Sequence, residues 1–119
     1  MTITAYQAAR SRVEVPRAAE HRLLSQITGE MMDAESAGLS GAHLAAPLHR
    51  NREMWSVFVA DCGASGNGLP TELRASIISL GLWVQRFTSD VIAGHEPIGE
   101  LIALNRTMME GLTSQRLAA

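Results

Sequence analysis

Apolar residues recur along this chain at helical spacing, and nowhere do they alternate as a strand requires. The clearest run is Leu69 to Gly94. Leu73, Ile77, Leu80, Val84, Phe87 and Val91 are separated by four, three, four, three and four residues, the spacing of one helix face. Ile78, Leu82 and Trp83 lie off that stripe. A helix this apolar must be covered on several sides, by its own chain or by a partner. Pro70 suits the first helical position, Glu72 the positive first turn, and Gly94 the left-handed residue that closes a helix. The pattern predicts a central helix over roughly 70–93. Gly81, in its interior, costs about 1 kcal/mol relative to alanine. Close approach of another helix would compensate, with Trp55 and Trp83 filling the space beside it; the plain alternative is a tolerated defect.

The remaining elements follow the same logic. Pro16 starts a first helix with Ala19, Leu23, Ile27, Met31 and Ala34 as its stripe, widened by Leu24 and weakened at Gly29. Ala37-Gly38-Leu39 reads as a C-terminal cap with a hydrophobic anchor. Pro47 lacks an N–H, so the second helix should begin near residues 44–46, after an irregular turn. Trp55, Phe58, Val59 and Cys62 face the core, and Asn51 falls on the same seam. Residues 63–70, GASGNGLP, form a loop with a turn signal. Its eight residues exceed the short turn of a DNA-reading helix pair. Pro97 starts a last helix with Ile98, Leu101, Ile102, Met108, Met109 and Leu112 as its stripe, and Asn105 sits inside it. The expected fold is all-α: one domain of about four helices (16–119) preceded by an N-terminal arm (1–15). The arm is either loosely attached or packs Tyr6 over a groove or a partner.

Composition narrows the class. The 119 residues suffice for one core, and with 46% hydrophobic but only 4% aromatic residues that core is aliphatic. A net charge of −2 and a pI of about 6.0 give no broad attraction to nucleic acid or anionic lipid. The single cysteine excludes an internal disulfide and suits a reducing compartment. No apolar run reaches the ~20 residues of a membrane span, and the N-terminus is not a secretory signal. The expectation is a cytoplasmic protein.

Chemistry finds little support. His21, His43, His49 and His95 are scattered, without a metal-ligand pair or a Cys-x-x-Cys. No phosphate-binding glycine motif occurs. Cys62 reads as buried and inert rather than nucleophilic. Glu30, Asp33 and Glu35 read as a solvated face. The expectation is a non-enzyme with no metal and no cofactor. Asn51, Asp61 and Arg74 have two readings: a structural one, in which Asp61 accepts loop N–H groups or pairs with Arg74 and so holds the 63–70 loop, and a functional one, in which they give direction to a bound peptide. The six methionines are core filler, or line a groove that accepts related apolar helices.

LPTELRASIISLGLWV, NREMWSVFVAD upstream and the Asn67 before Gly-Leu-Pro resemble the FlaF family of flagellar biosynthesis regulators of alphaproteobacteria. The resemblance extends more weakly to Tyr6, to Glu-His-Arg-Leu-Leu and to the last helix, and so covers nearly the whole chain. It implies a cytoplasmic adaptor or chaperone that binds flagellin and supports its production and export, alongside an FlbT-type regulator. The terminal helices of flagellin would enter a groove beside Trp55, Trp83 and the arm, anchored at i, i+3, i+4 and i+7. Tyr6, Asn51, Trp55, Asp61, Arg74 and Trp83 are the partner-contacting residues on this reading. The rival is a post-transcriptional regulator acting on flagellin mRNA, directly or through the FlbT-type partner. The lack of basic balance and of aromatics argues against direct RNA contact. A third reading is a homo-oligomer whose apolar faces cover each other.

Overall fold

A computed structural model describes residues 21–64, 66 and 68–118. The helix start at Pro16, the arm and Tyr6 lie outside the described residues, as do the burial of Ala19 and of Leu112. Four α-helices follow in order: α1, helical over 21–36; α2, Ala45–Gly63; α3, Thr71–Ile92; and α4, Gly99–Ala118. A 3-10 turn, Gly41–Leu44, leads into α2, so the irregular turn and the start near 44–46 are as the proline requires. The described residues contain no strand.

The helix ends are set locally. At the end of α1 the Gly38 N–H donates to Glu35 O and the Leu39 N–H to Ala34 O, with Gly38 at φ 77°. At the end of α3 the Gly94 N–H donates to Val91 O and the His95 N–H to Asp90 O, with Gly94 at φ 83°. Both pairs form the double bond of a Schellman cap, which needs a left-handed residue at its centre. Leu39 does not anchor the first cap, however; it is exposed. The prolines sit earlier than expected. Pro70 is the N-cap of α3, with extended ψ of 144° and its carbonyl accepting from the Arg74 N–H. Pro97 precedes Ile98, whose carbonyl accepts from Leu101 and Ile102 before α4 begins. In both cases the ring's fixed φ is used just outside the helix, where it costs no hydrogen bond.

The helices alternate in direction. Gln85 Nε2 donates to Arg52 O (3.3 Å) and Ser56 Oγ (3.0 Å), while Arg52 Nη2 donates to Gln85 O (3.1 Å) and Ser89 Oγ (2.8 Å). Arg74 meets the other end of α2, so α2 and α3 are antiparallel. Arg50 bridges to Glu30 at 2.7 Å, joining α2 to α1. Gly99, at the head of α4, lies beside Glu35 near the end of α1. The 37–44 and 93–98 links thus share one end of an up-and-down bundle, and the 63–70 loop closes the other.

Each helix contributes residues three or four apart to the core: Leu24, Ile27, Met31 and Ala34 in α1; Leu48, Asn51, Trp55, Phe58 and Cys62 in α2; Ile77, Gly81, Val84, Phe87 and Val91 in α3; Ile98, Leu101 and Asn105 at the head of α4. This is the repeat that keeps one seam facing its neighbours in a bundle. Leu24, not Leu23, carries the α1 stripe, and Leu23 is exposed. Four polar residues are buried with the apolar ones. Thr28 and Thr88 are satisfied within their own helices, donating to Leu24 O and Val84 O at 2.6 Å each. The other two, Asn51 and Asn105, reach across the core.

Gly81 marks the closest helix contact. A Cβ there would collide with a methyl of Val59 and touch the Trp55 ring. The expected close approach is therefore present and Trp55 borders it as expected, but Val59 rather than Trp83 makes the tightest contact.

Candidate functional site

The most elaborate side-chain arrangement lies inside the bundle. Trp55 Nε1 donates to Asn105 Oδ1 at 2.9 Å, and Asn105 Nδ2 donates to Asn51 Oδ1 at 2.8 Å. Asn105 Nδ2 also lies 3.8 Å from Met31 Sδ. The relay therefore ties α1, α2 and α4 together, and all four residues have 0% exposure. Its direction is dictated by the indole, which can only donate. The Asn105 oxygen must face Trp55, so its nitrogen faces Asn51, and the Asn51 oxygen must accept. Asn51 Nδ2 is then left without a protein partner. Sequence alone places both asparagines on apolar seams but does not pair them.

Arg74 works at the opposite end of α2. Its Nε donates to Cys62 O at 2.7 Å and its Nη2 to Ala64 O at 3.2 Å. The last carbonyls of a helix carry partial negative charge and lack intrahelical donors; one guanidinium serves two of them. Ala64 N–H closes back onto Asp61 O at 3.1 Å. Arg74 thus pins the loop through carbonyls, which accounts for the structural reading of that residue. Asp61 has an exposed side chain at the same loop. Replacing Arg74 by alanine should cost about 1 kcal/mol, below the ~1.5–3 kcal/mol of a charged hydrogen bond because the group is half-exposed. It should also speed proteolysis within 63–70, measurable by urea unfolding and limited digestion.

The two indoles have different surroundings. Trp55 is fully enclosed and meets Phe58 edge-on at 5.8 Å. Trp83 is half-buried and stacks on Phe87 at 4.6 Å. Next to it, Leu82 is 56% exposed, and on α2 Val57 is 64% exposed. The predicted need for cover on several sides of α3 is thus met on the bundle side, while Leu82 and one side of Trp83 are left uncovered by any described helix. Met31 and Met54 are core residues, Met108 and Met109 half-buried, and Met32 exposed.

Among the described residues no group of three or more His, Cys, Asp or Glu is placed to hold a metal ion. Nor is any described helix long and apolar enough to cross a membrane. The geometry defines a small helical bundle with a polar relay inside and apolar side chains left on its second and third helices. The chain belongs to the FlaF family: the family model for flagellar protein FlaF matches residues 2–112. No curated protein and no solved structure matches it.

Proposed function

We propose that this flagellar protein is an adaptor that binds flagellin in the cytoplasm through flagellin's terminal helices and supports its production and export. The observation that carries the reading is the uncovered apolar edge of α3, where Leu82 is 56% exposed and Trp83 half-buried. A helix whose apolar surface exceeds what its own bundle buries is suited to receive another amphipathic helix. A partly exposed tryptophan beside a leucine is the kind of anchor that dominates such contacts. Asn51 and Trp55 have no exposed surface with which to touch a partner; of the expected contact residues among those described, Trp83 lies on the uncovered edge of α3, while Asp61 and Arg74 stand at the 63–70 loop.

The test is co-purification with flagellin carrying or lacking its terminal helices. Stoichiometric capture that depends on those helices supports the reading; no capture at low or moderate salt ends it. Leu82→Asp should weaken capture at least ~10-fold, the loss of about 1.4 kcal/mol expected of a contact near an interface centre. Its thermal melt should move little, because exposed substitutions stay within ~0.5 kcal/mol. Trp83→Ala should weaken capture in the same direction while circular dichroism shows the helices retained. Unchanged capture by both variants would remove α3 from the binding surface.

A further inference from the structure

We infer that the outward face of α3 is self-complementary and joins two copies of this chain as an antiparallel pair, with the two-fold axis at Ser79. Ser79 lies opposite the buried stripe of Ile77, Val84, Thr88 and Val91, in the middle of the side that the bundle leaves open. Outward from it along the helix, Ser76 and Leu82 stand three residues away, Ala75 and Trp83 four, and Glu72 and Arg86 seven. Those are the spacings of one helix face. All of these residues are exposed except Trp83, which is half-buried. Glu72 and Arg86 form no ion pair with another described residue.

A two-fold axis at Ser79 sets each residue against the one at equal distance on its other side. Leu82 then meets Ser76 of the second copy, Trp83 meets its Ala75, and Arg86 meets its Glu72. Every large apolar group falls on a small residue and every cation on an anion, and symmetry makes each contact twice. The small residues let the two helices approach closely. The ion pairs stand about 10.5 Å to either side of the axis and fix the register. A parallel pairing would bring Arg86 onto Arg86, Glu72 onto Glu72 and Trp83 onto Trp83, and loses every one of these matches. Asp90, the next charge along the face, falls just past the start of the second α3, where a helix N-terminus favours an anion. The second copy covers the same Leu82–Trp83 edge as the partner helix proposed above, so the two exclude each other. The inference does not rest on that reading, and its test uses the pure protein alone.

The experiment is sedimentation equilibrium of the full chain over a concentration series. One helix per protomer makes a small interface, so the parent should pass from monomer to dimer with a Kd of roughly 1–100 μM. Arg86→Glu and Glu72→Arg should each weaken the dimer about tenfold or more, since two attractive contacts become repulsive. The double variant Glu72→Arg/Arg86→Glu restores both pairs with the signs exchanged, and should recover the parent Kd to within about threefold. Far-UV circular dichroism should show all three variants as helical as the parent, because both positions are exposed. A parent chain that stays monomeric to about 1 mM would overturn the inference. So would a dimer that neither single reversal weakens, or one that the double variant fails to recover.

Discussion

Trp55→Ala should destabilise the protein by about 3–5 kcal/mol, the cost of emptying a large buried aromatic site. Three contributions converge there. The ring has 0% exposure, it forms the floor against which Gly81 packs, and its N–H is the donor at the head of the polar relay. Removal leaves the Asn105 oxygen buried without its donor, which adds about 1 kcal/mol or more. Against a total of about 5–15 kcal/mol for a domain, the variant should be partly unfolded near physiological temperature. Urea unfolding followed by circular dichroism measures the loss. Trp55→Phe separates the contributions: it keeps most of the ring and loses the donor, so it should cost only ~1–3 kcal/mol. A loss below about 1 kcal/mol for the alanine variant would contradict the packing described.

The second large effect is at Gly81, where the ordinary rule for helices reverses. Alanine in place of a mid-helix glycine normally stabilises by about 1 kcal/mol. Here the added methyl meets Val59 on α2. Val59 is β-branched and nearly locked at χ1 within a helix, so it cannot swing aside as a long flexible side chain would. Overpacking costs ~1–3 kcal/mol against a propensity gain of about 1 kcal/mol, and because the contact is with a locked side chain the cost lies in the upper part of its range, giving a net loss of up to about 2 kcal/mol. Gly81→Val should be worse. The decisive comparison is a double-mutant cycle: in a Val59→Ala background Gly81→Ala should become neutral or stabilising, with a coupling of at least ~1 kcal/mol. Additive effects would mean that the two helices are not in contact there.

Those two sites also mark how far the sequence could be read. The anomaly of Gly81 is visible from propensity, but its partner is not. Whether Val59 or Trp55 lies directly opposite depends on the depth at which α2 crosses α3, and no local pattern encodes that. The caps at Gly38 and Gly94 are legible because a left-handed residue is a local requirement. Prolines are less exact punctuation, since their fixed φ serves equally at the first helical position or just before it; Pro70 and Pro97 use the latter. Leu23 and Leu24 are adjacent and equally apolar, so a stripe of three-four spacing accepts either until the neighbouring helices choose Leu24. Asn51 and Asn105 are conspicuous on their seams, yet their pairing requires the relative positions of α2 and α4. The uncovered edge of α3 follows from its excess of apolar residues; the partner helix proposed for it does not follow from composition or spacing.

The unequal placement of Trp55 and Trp83, the two tryptophans of the chain, makes the protein its own optical probe. The indole sealed in the core and bonded to an amide reports the integrity of the fold. The one stacked on Phe87 at the edge of α3 reports what happens at the surface. A ligand that covers that edge should shift or quench the emission of Trp83 while the Trp55 contribution stays constant, so that association and unfolding are read as separate signals from an unlabelled chain.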